Sequence, residues 1–250
     1  MTEAPPAQAP RTRRRTPWRA AFLALAGLAI VGGVAWALLG NRLLVVRSVS
    51  VTGTHLVTQA QVIAAADVPL GTSLVGVNAG QVARRVETIR QVASATVSKD
   101  WPDHLVITVH ERVPVVAVRM AGGGFDLVDP TGVIVRWSAA DPAGLPLYTT
   151  SVAGSALHGD PALATVAAVL AELSPALSGQ VANVGVEQVA SGPGVTASEA
   201  YQVLLGLRDH KTVVWGGTGS ATQKNRELAI LMHGSATYID VSAPGTVVTR

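Results

Sequence analysis

The chain has 250 residues, a formal net charge of +3 and no cysteine, so thiol nucleophiles, thiolate zinc sites, lipoprotein anchors and disulfide scaffolds are excluded. The first 19 residues carry five arginines and one glutamate, so the rest of the chain sums to −1. That balance argues against nucleic acid as a partner, because phosphate binding needs concentrated Lys and Arg.

Residues 1–19 hold Pro5, Pro6, Pro10 and Pro17 and no apolar periodicity, which predicts a disordered tail. Arg11, Arg13, Arg14, Arg15 and Arg19 give it a topology signal that keeps it in the cytoplasm. Twenty-two residues without a charge follow, Ala20 to Asn41. As a helix they would be ~33 Å long against a hydrocarbon core of ~30 Å, which predicts a single transmembrane helix over 20–41. Ala29 and Gly33 offer a small-xxx-small approach surface on it. A cleavable signal peptide is the rival reading, with Ala35-Trp36-Ala37 as its cleavage tripeptide. The apolar run exceeds the usual ~7–15 residues of such a signal and continues past that tripeptide, which favours the uncleaved anchor.

Residues 42–114 form a first unit. Val49 and Val51 alternate with Ser50 and Thr52 as a strand that Gly53 ends. Thr58-x-x-Gln61 has capping-box spacing ahead of Val62, Ile63 and Ala66. Asn78 caps a second helix with Val82, Val86 and Ile89 at helical spacing. A strand at 92–98 and another with Leu105, Ile107 and Val109 on one face complete the unit. Strand-helix-helix-strand-strand is most simply a small sheet covered on one face by two helices.

Residues 115–250 form a β-rich second unit, expected to be an antiparallel sheet with flanking helices. Strands are predicted at 115–120, 126–128, 133–137, 181–189, 194–197, 201–207, 212–215, 238–241 and 246–249. Asp160-Pro161 starts a helix with Leu163, Val166, Ala167 and Leu170 on its buried face. Ser220-x-x-Gln223 opens another over 221–233. The fold class is therefore α+β.

No catalytic constellation emerges. The six histidines lie at 55, 104, 110, 158, 210 and 233, with no metal-ligand spacing on a helix. His104 and His110 share a strand face, read as solvent-facing in preference to a metal pair. Gly217-Thr218-Gly219-Ser220 lacks both G-x-S-x-G and the Gly-Lys of a phosphate loop, and reads as a strand-to-helix turn. No cofactor, metal or small-molecule substrate is expected. The feature that invites function is the β-prone run Thr246, Val247, Val248 and Thr249, because an edge strand is a template for another chain's strand.

In order and content the chain resembles the FtsQ (DivIB) family of bacterial cell-division proteins. The similarity covers 11–250. It rests on Val49-x-Val51-x-Gly53, on Val92 through Lys99-Asp100-Trp101-Pro102, and on Leu105-x-Ile107-x-Val109-x-Glu111-Arg112-x-Pro114. Leu127-Val128-Asp129-x-x-Gly132-Val133, Val213-Val214-Trp215-Gly216 with Lys224, and Tyr238-Ile239-Asp240-Val241-Ser242 with Pro244 complete it. The resemblance implies that 42–114 is a POTRA domain and 115–250 a C-terminal β domain. It implies a non-enzymatic, single-pass scaffold of the divisome at the septum, with its C-terminal domains outside the cell membrane. The implied partners are FtsB and FtsL and, through them, the septal peptidoglycan synthase pair FtsW and FtsI. Thr246, Val247, Val248, Thr249 and Arg250, entered through Ala243 and Gly245, would receive a strand from FtsB. Val51, Arg84 and Arg85 would belong to a recruitment face of the POTRA unit, and Glu111 and Arg112 to a pairing or domain-orienting role. A POTRA-bearing export or envelope-assembly chaperone and an exported enzyme are the alternatives.

Overall fold

The computed structural model describes residues 17–40 and 44–250, apart from 193, 195 and 244. The tail expected over 1–19 therefore lies almost wholly outside the described residues, as do Arg11, Arg13, Arg14, Arg15 and the side chain of Arg19. Helix α1 runs Pro17–Gly40. Its described side chains are those of Trp18 and 21–33, and among the described residues no helix is long and apolar enough to cross a membrane. The span expected over 20–41 is thus not demonstrated.

The first unit has the expected element order: β1 (Ser48–Thr52), α2 (Gln59–Ala66), α3 (Ala79–Val86), β2 (Val92–Asp100) and β3 (His104–Glu111). The Thr58 capping box is complete, with Gln61 returning a bond to the Thr58 N–H, and Asn78 caps α3 through the Gln81 N–H. β3 lies centrally, parallel to β1 and antiparallel to β2. Leu105, Ile107 and Val109 pack with Val62, Ala66, Val82 and Val86 of the two helices in one core. The opposite sheet face carries Ser50, Thr52, Thr96, Ser98 and Thr108, by the two-residue period of the strands.

The second unit is a nine-stranded sheet. Its strands are β4 (Val116–Arg119), β5 (Phe125–Val128), β6 (Ile134–Ser138), β7 (Leu147–Tyr148), β8 (Val181–Gln188), β9 (Tyr201–Leu207), β10 (Thr212–Gly216), β11 (Tyr238–Asp240) and β12 (Val248–Thr249). A 3-10 turn at Gly154–Leu157 and helices α4 (Pro161–Glu172), α5 (Pro175–Ser178), α6 (Ala197–Ala200) and α7 (Ala221–Leu231) complete it. The spatial order is β12-β11-β10-β9-β8-β7-β4-β5-β6. Leu163, Val166 and Val169 of α4 and Leu228 of α7 share a core with Val184, Val203, Leu205, Val213, Trp215 and Ile239 of the sheet.

Three expectations need correction. The sheet is mixed: β4–β7, β7–β8 and β10–β11 run parallel. For β7–β8 and β10–β11 the reason lies in the connections, since a helix between strands returns the chain in the same direction, and α4 and α7 are such crossovers; β7 reaches β4 after the β4-β5-β6 meander. The strand expected at 194–197 is absent among its described residues; Ala197–Ala200 is one helical turn, closed by Thr196 donating its N–H and hydroxyl to the Glu199 carboxylate at 2.9 and 2.8 Å. Ser220 does not cap α7 with its side chain, because its backbone is left-handed at φ 55°. The short β7 was not foreseen.

Candidate partner-binding edge

The far edge of the sheet is built from β10, α7, β11 and β12. Lys224 on α7 is 3% exposed, and its Nζ donates to the carbonyls of Trp215 and Gly217, each at 2.9 Å. Burial lowers its pKa, while the negative charge of Glu172 works in the opposite direction. Glu172 accepts the Gly219 N–H at 2.9 Å. Asn225 accepts the Ser174 N–H at 2.8 Å and donates to the Glu172 carbonyl at 2.8 Å, which ties α7 to α4. At Gly216, φ is 79° and a Cβ would meet the Ser242 Cβ at 2.8 Å, so only glycine lets β10 lie this close to the residues after β11.

The turn into β12 rests on α7. Glu227 Oε1 accepts the Gly245 N–H at 3.2 Å and a Gln223 amide N–H at 2.8 Å. The Ser242 N–H donates to Asp240 Oδ1 at 2.9 Å, and the Thr246 N–H to the Ala243 carbonyl at 3.1 Å. β12 then pairs antiparallel with β11, Thr249 opposite Ile239 and Val248 opposite Asp240. Arg250 and Tyr238 exchange bonds at 3.0 and 3.1 Å. Antiparallel pairs alternate, so the backbone groups of Val248 and Arg250 point inward to β11 and those of Val247 and Thr249 point outward. Among the described residues β12 is the last strand of the sheet, and that outward row is an open edge. Val247 packs partly on the core, whereas Val248 is 46% exposed on the other face.

Among the POTRA residues singled out, Val51 is 5% exposed and belongs to the core. Arg85 donates through Nε to the Ala66 carbonyl at 2.9 Å and so fastens α3 to the end of α2. Arg84 is exposed. Glu111 and Arg112 are structural. The Glu111 carboxylate accepts the N–H groups of His55, Leu56 and Val57 at 2.8 to 2.9 Å. Partial burial raises its pKa, but the three N–H donors and nearby His55 outweigh that, and the net shift is downward. Arg112 Nη1 donates to Asp129 Oδ2 at 2.6 Å and to Thr131 Oγ1 at 3.2 Å, and Nε to the Arg90 carbonyl at 3.1 Å, joining the two units. Asp129 also takes the N–H of Thr131 and of Val133 at 2.9 and 2.8 Å. Its burial raises the pKa; Arg112 and the other donors bring it below the ordinary value.

A cleft of about 630 Å³ beside α4 is lined by Val115, Leu145, Pro146, Ala164, Ala168 and Ala171 among others, with no titratable side chain. Among the described residues no group of three His, Asp or Glu could hold a metal ion. His104 bonds Ser48 and Ser50, and His110 lies six residues along β3, ~20 Å away at strand rise, too far to share a metal.

A small β-α-α-β-β unit joined through Arg112 to a large mixed sheet is the build of a POTRA-bearing protein. Residues 44–112 match the family model for the POTRA domain, FtsQ-type. Curated relatives of the same kind are similar over most of the chain. Cell division protein FtsQ of Mycobacterium leprae is 37% identical over 85% of this chain and 58% of its own length. That of Mycobacterium tuberculosis is 35% identical over 90% and 67%, and that of Streptomyces bingchenggensis 34% over 94% and 87%. The chain belongs to the FtsQ family of cell division proteins. It spans about three fifths of the length of the first of these relatives.

Proposed function

We propose that this protein is a non-enzymatic scaffold of the bacterial divisome, acting at the division septum. In this reading the 20–41 run anchors it in the cell membrane as a single pass, with the basic tail cytoplasmic and both folded units outside. The open outer row of β12 receives a strand from FtsB, and FtsL joins the same complex. The complex then bears on septal peptidoglycan synthesis through FtsW and FtsI. Tethering to the same membrane raises the effective concentration of the partners, so a short strand contact is sufficient.

The observation that carries this reading is the edge itself: β12 ends the nine-stranded sheet, and among the described residues its outer backbone row has no pairing strand, while α7 and Gly245 hold it in place. Strand addition there gives affinity through backbone bonds and selectivity through alternate side chains. The test is a pull-down of FtsB from the same source with the full chain and with a chain lacking Thr246 to Arg250, with and without FtsL. Binding lost on deletion supports the edge. Binding that survives deletion moves the site elsewhere.

A further inference from the structure

One end of the POTRA sheet collects several chain ends. β1 begins at Ser48 opposite His104, and β2 ends at Asp100 opposite the same residue. The segment 44–47 comes into the domain here. Its backbone bonds are Leu74 N–H to the Leu44 carbonyl, Val46 N–H to the Thr72 carbonyl, Gly71 N–H to the Val46 carbonyl and Arg47 N–H to the Asp103 carbonyl, each 2.8 Å. The loop 69–76 and the turn 101–103 therefore flank the incoming chain, and Lys99 Nζ, near the end of β2, ties that strand to the loop through the Val75 carbonyl at 2.9 Å. On this rim Leu70, Val75 and Trp101 are 67%, 46% and 53% exposed. None of the three is among the side chains packed on the POTRA core. Among the described residues the charges of the rim cancel: Arg47 and Lys99 stand against Asp100 and Asp103, with Arg47 and Asp103 paired at 3.6 Å.

Covalent reach limits where this rim can sit. From Gly40, the end of α1, to Leu44 is four peptide steps, at most ~14 Å when extended. The headgroup layer on each side of a bilayer is about 5–7 Å thick. A rim tethered this closely to a membrane helix stands in or against that layer, where tryptophan and aliphatic side chains partition favourably.

We infer that Leu70, Val75 and Trp101 dock the POTRA unit onto the outer face of the lipid bilayer, inserting into its interfacial layer. The inference rests on the anchoring by 20–41 proposed above. Because the described residues of the rim carry no net charge, docking is apolar and does not depend on salt.

The chain has no cysteine, so single-cysteine variants report one site each. A fluorophore is placed on the full chain at Leu70→Cys, Val75→Cys, Val189→Cys on the second unit, or Ile30→Cys in α1. Each variant is reconstituted in phosphatidylethanolamine–phosphatidylglycerol vesicles bearing nitroxide lipids at the headgroup end or the tail end. The expected result is loss of Ile30 fluorescence to the deep nitroxide and loss of Leu70 and Val75 fluorescence to the shallow one, at low and high salt, with Val189 unaffected. If Ile30 is quenched while Leu70 and Val75 behave like Val189, the docking is overturned and the anchor stands. If quenching at Leu70 and Val75 disappears in high salt, apolar docking is overturned. If Ile30 escapes quenching, anchor and docking fall together.

Discussion

Lys224 shows how much one buried side chain organises. It sits beneath the strand-to-helix turn, holds two carbonyls and lies 5.5 Å from the centre of the Trp215 ring. Replacing it by alanine leaves both carbonyls and the Glu172 charge without it, and should cost about 2–4 kcal/mol in urea unfolding. At the edge, Thr249→Pro removes an outward N–H while leaving the β11 bonds in place. FtsB binding should therefore be lost with the thermal midpoint unchanged. Val248→Pro strikes the inward row, so it should lower the midpoint as well; a titration of binding beside a thermal melt separates the two variants. The sequence made Lys224 visible as part of a segment but not as a buried group, because a lysine on a helix ordinarily reads as solvated. Likewise it marked Thr246 to Thr249 as a strand, of which Val248–Thr249 pairs with β11, yet which backbone row is free follows only from the pairing with Tyr238 and Asp240.

The elements of the POTRA unit were legible because their signals are local. A capping box, an Asn cap and an alternating strand each depend on neighbours within a few residues. Glu111 is different: its three acceptor contacts reach back 54 to 56 residues to the loop before α2, and nothing in the pattern announces them. Its pKa is lowered from 4.5, so its contribution to stability is present above that value and is lost as pH falls through the lowered one. Asp129, lowered from 3.8, acts in the same direction. The protein should hold its thermal midpoint from about pH 7 to 5 and lose it steeply below about pH 4, and Glu111→Gln should flatten the upper part of that fall. The mixed sheet escaped prediction because strand direction is set by crossovers and by pairing partners far apart in sequence. The two-residue β7 is too short to show a period, and it supplies the parallel link between β4 and β8.

At the scale of the whole molecule, Arg112 is the join between the two units. It is bonded to the POTRA carbonyl of Arg90 on one side and to Asp129 and Thr131 on the other. Gly132 closes the same turn: its φ is 84°, and a Cβ there would lie 1.8 Å from the Leu157 carbonyl oxygen, so no other residue fits. Arg112→Ala should leave each unit folded, with unchanged circular dichroism, and broaden their relative orientation, read as a larger radius of gyration in small-angle scattering. The arrangement sets the β12 edge in one direction relative to the POTRA unit, which is what the proposed presentation of that edge to a partner's strand requires. In the proposed complex the outward row of β12 receives the partner's strand. The most direct measurement is residue-resolved amide exchange of the full chain with and without FtsB. Protection gained at Val247 and Thr249, with Val248 and Arg250 already slow in the free protein, is the predicted result. Unchanged exchange at Val247 and Thr249 in a saturated complex would contradict it.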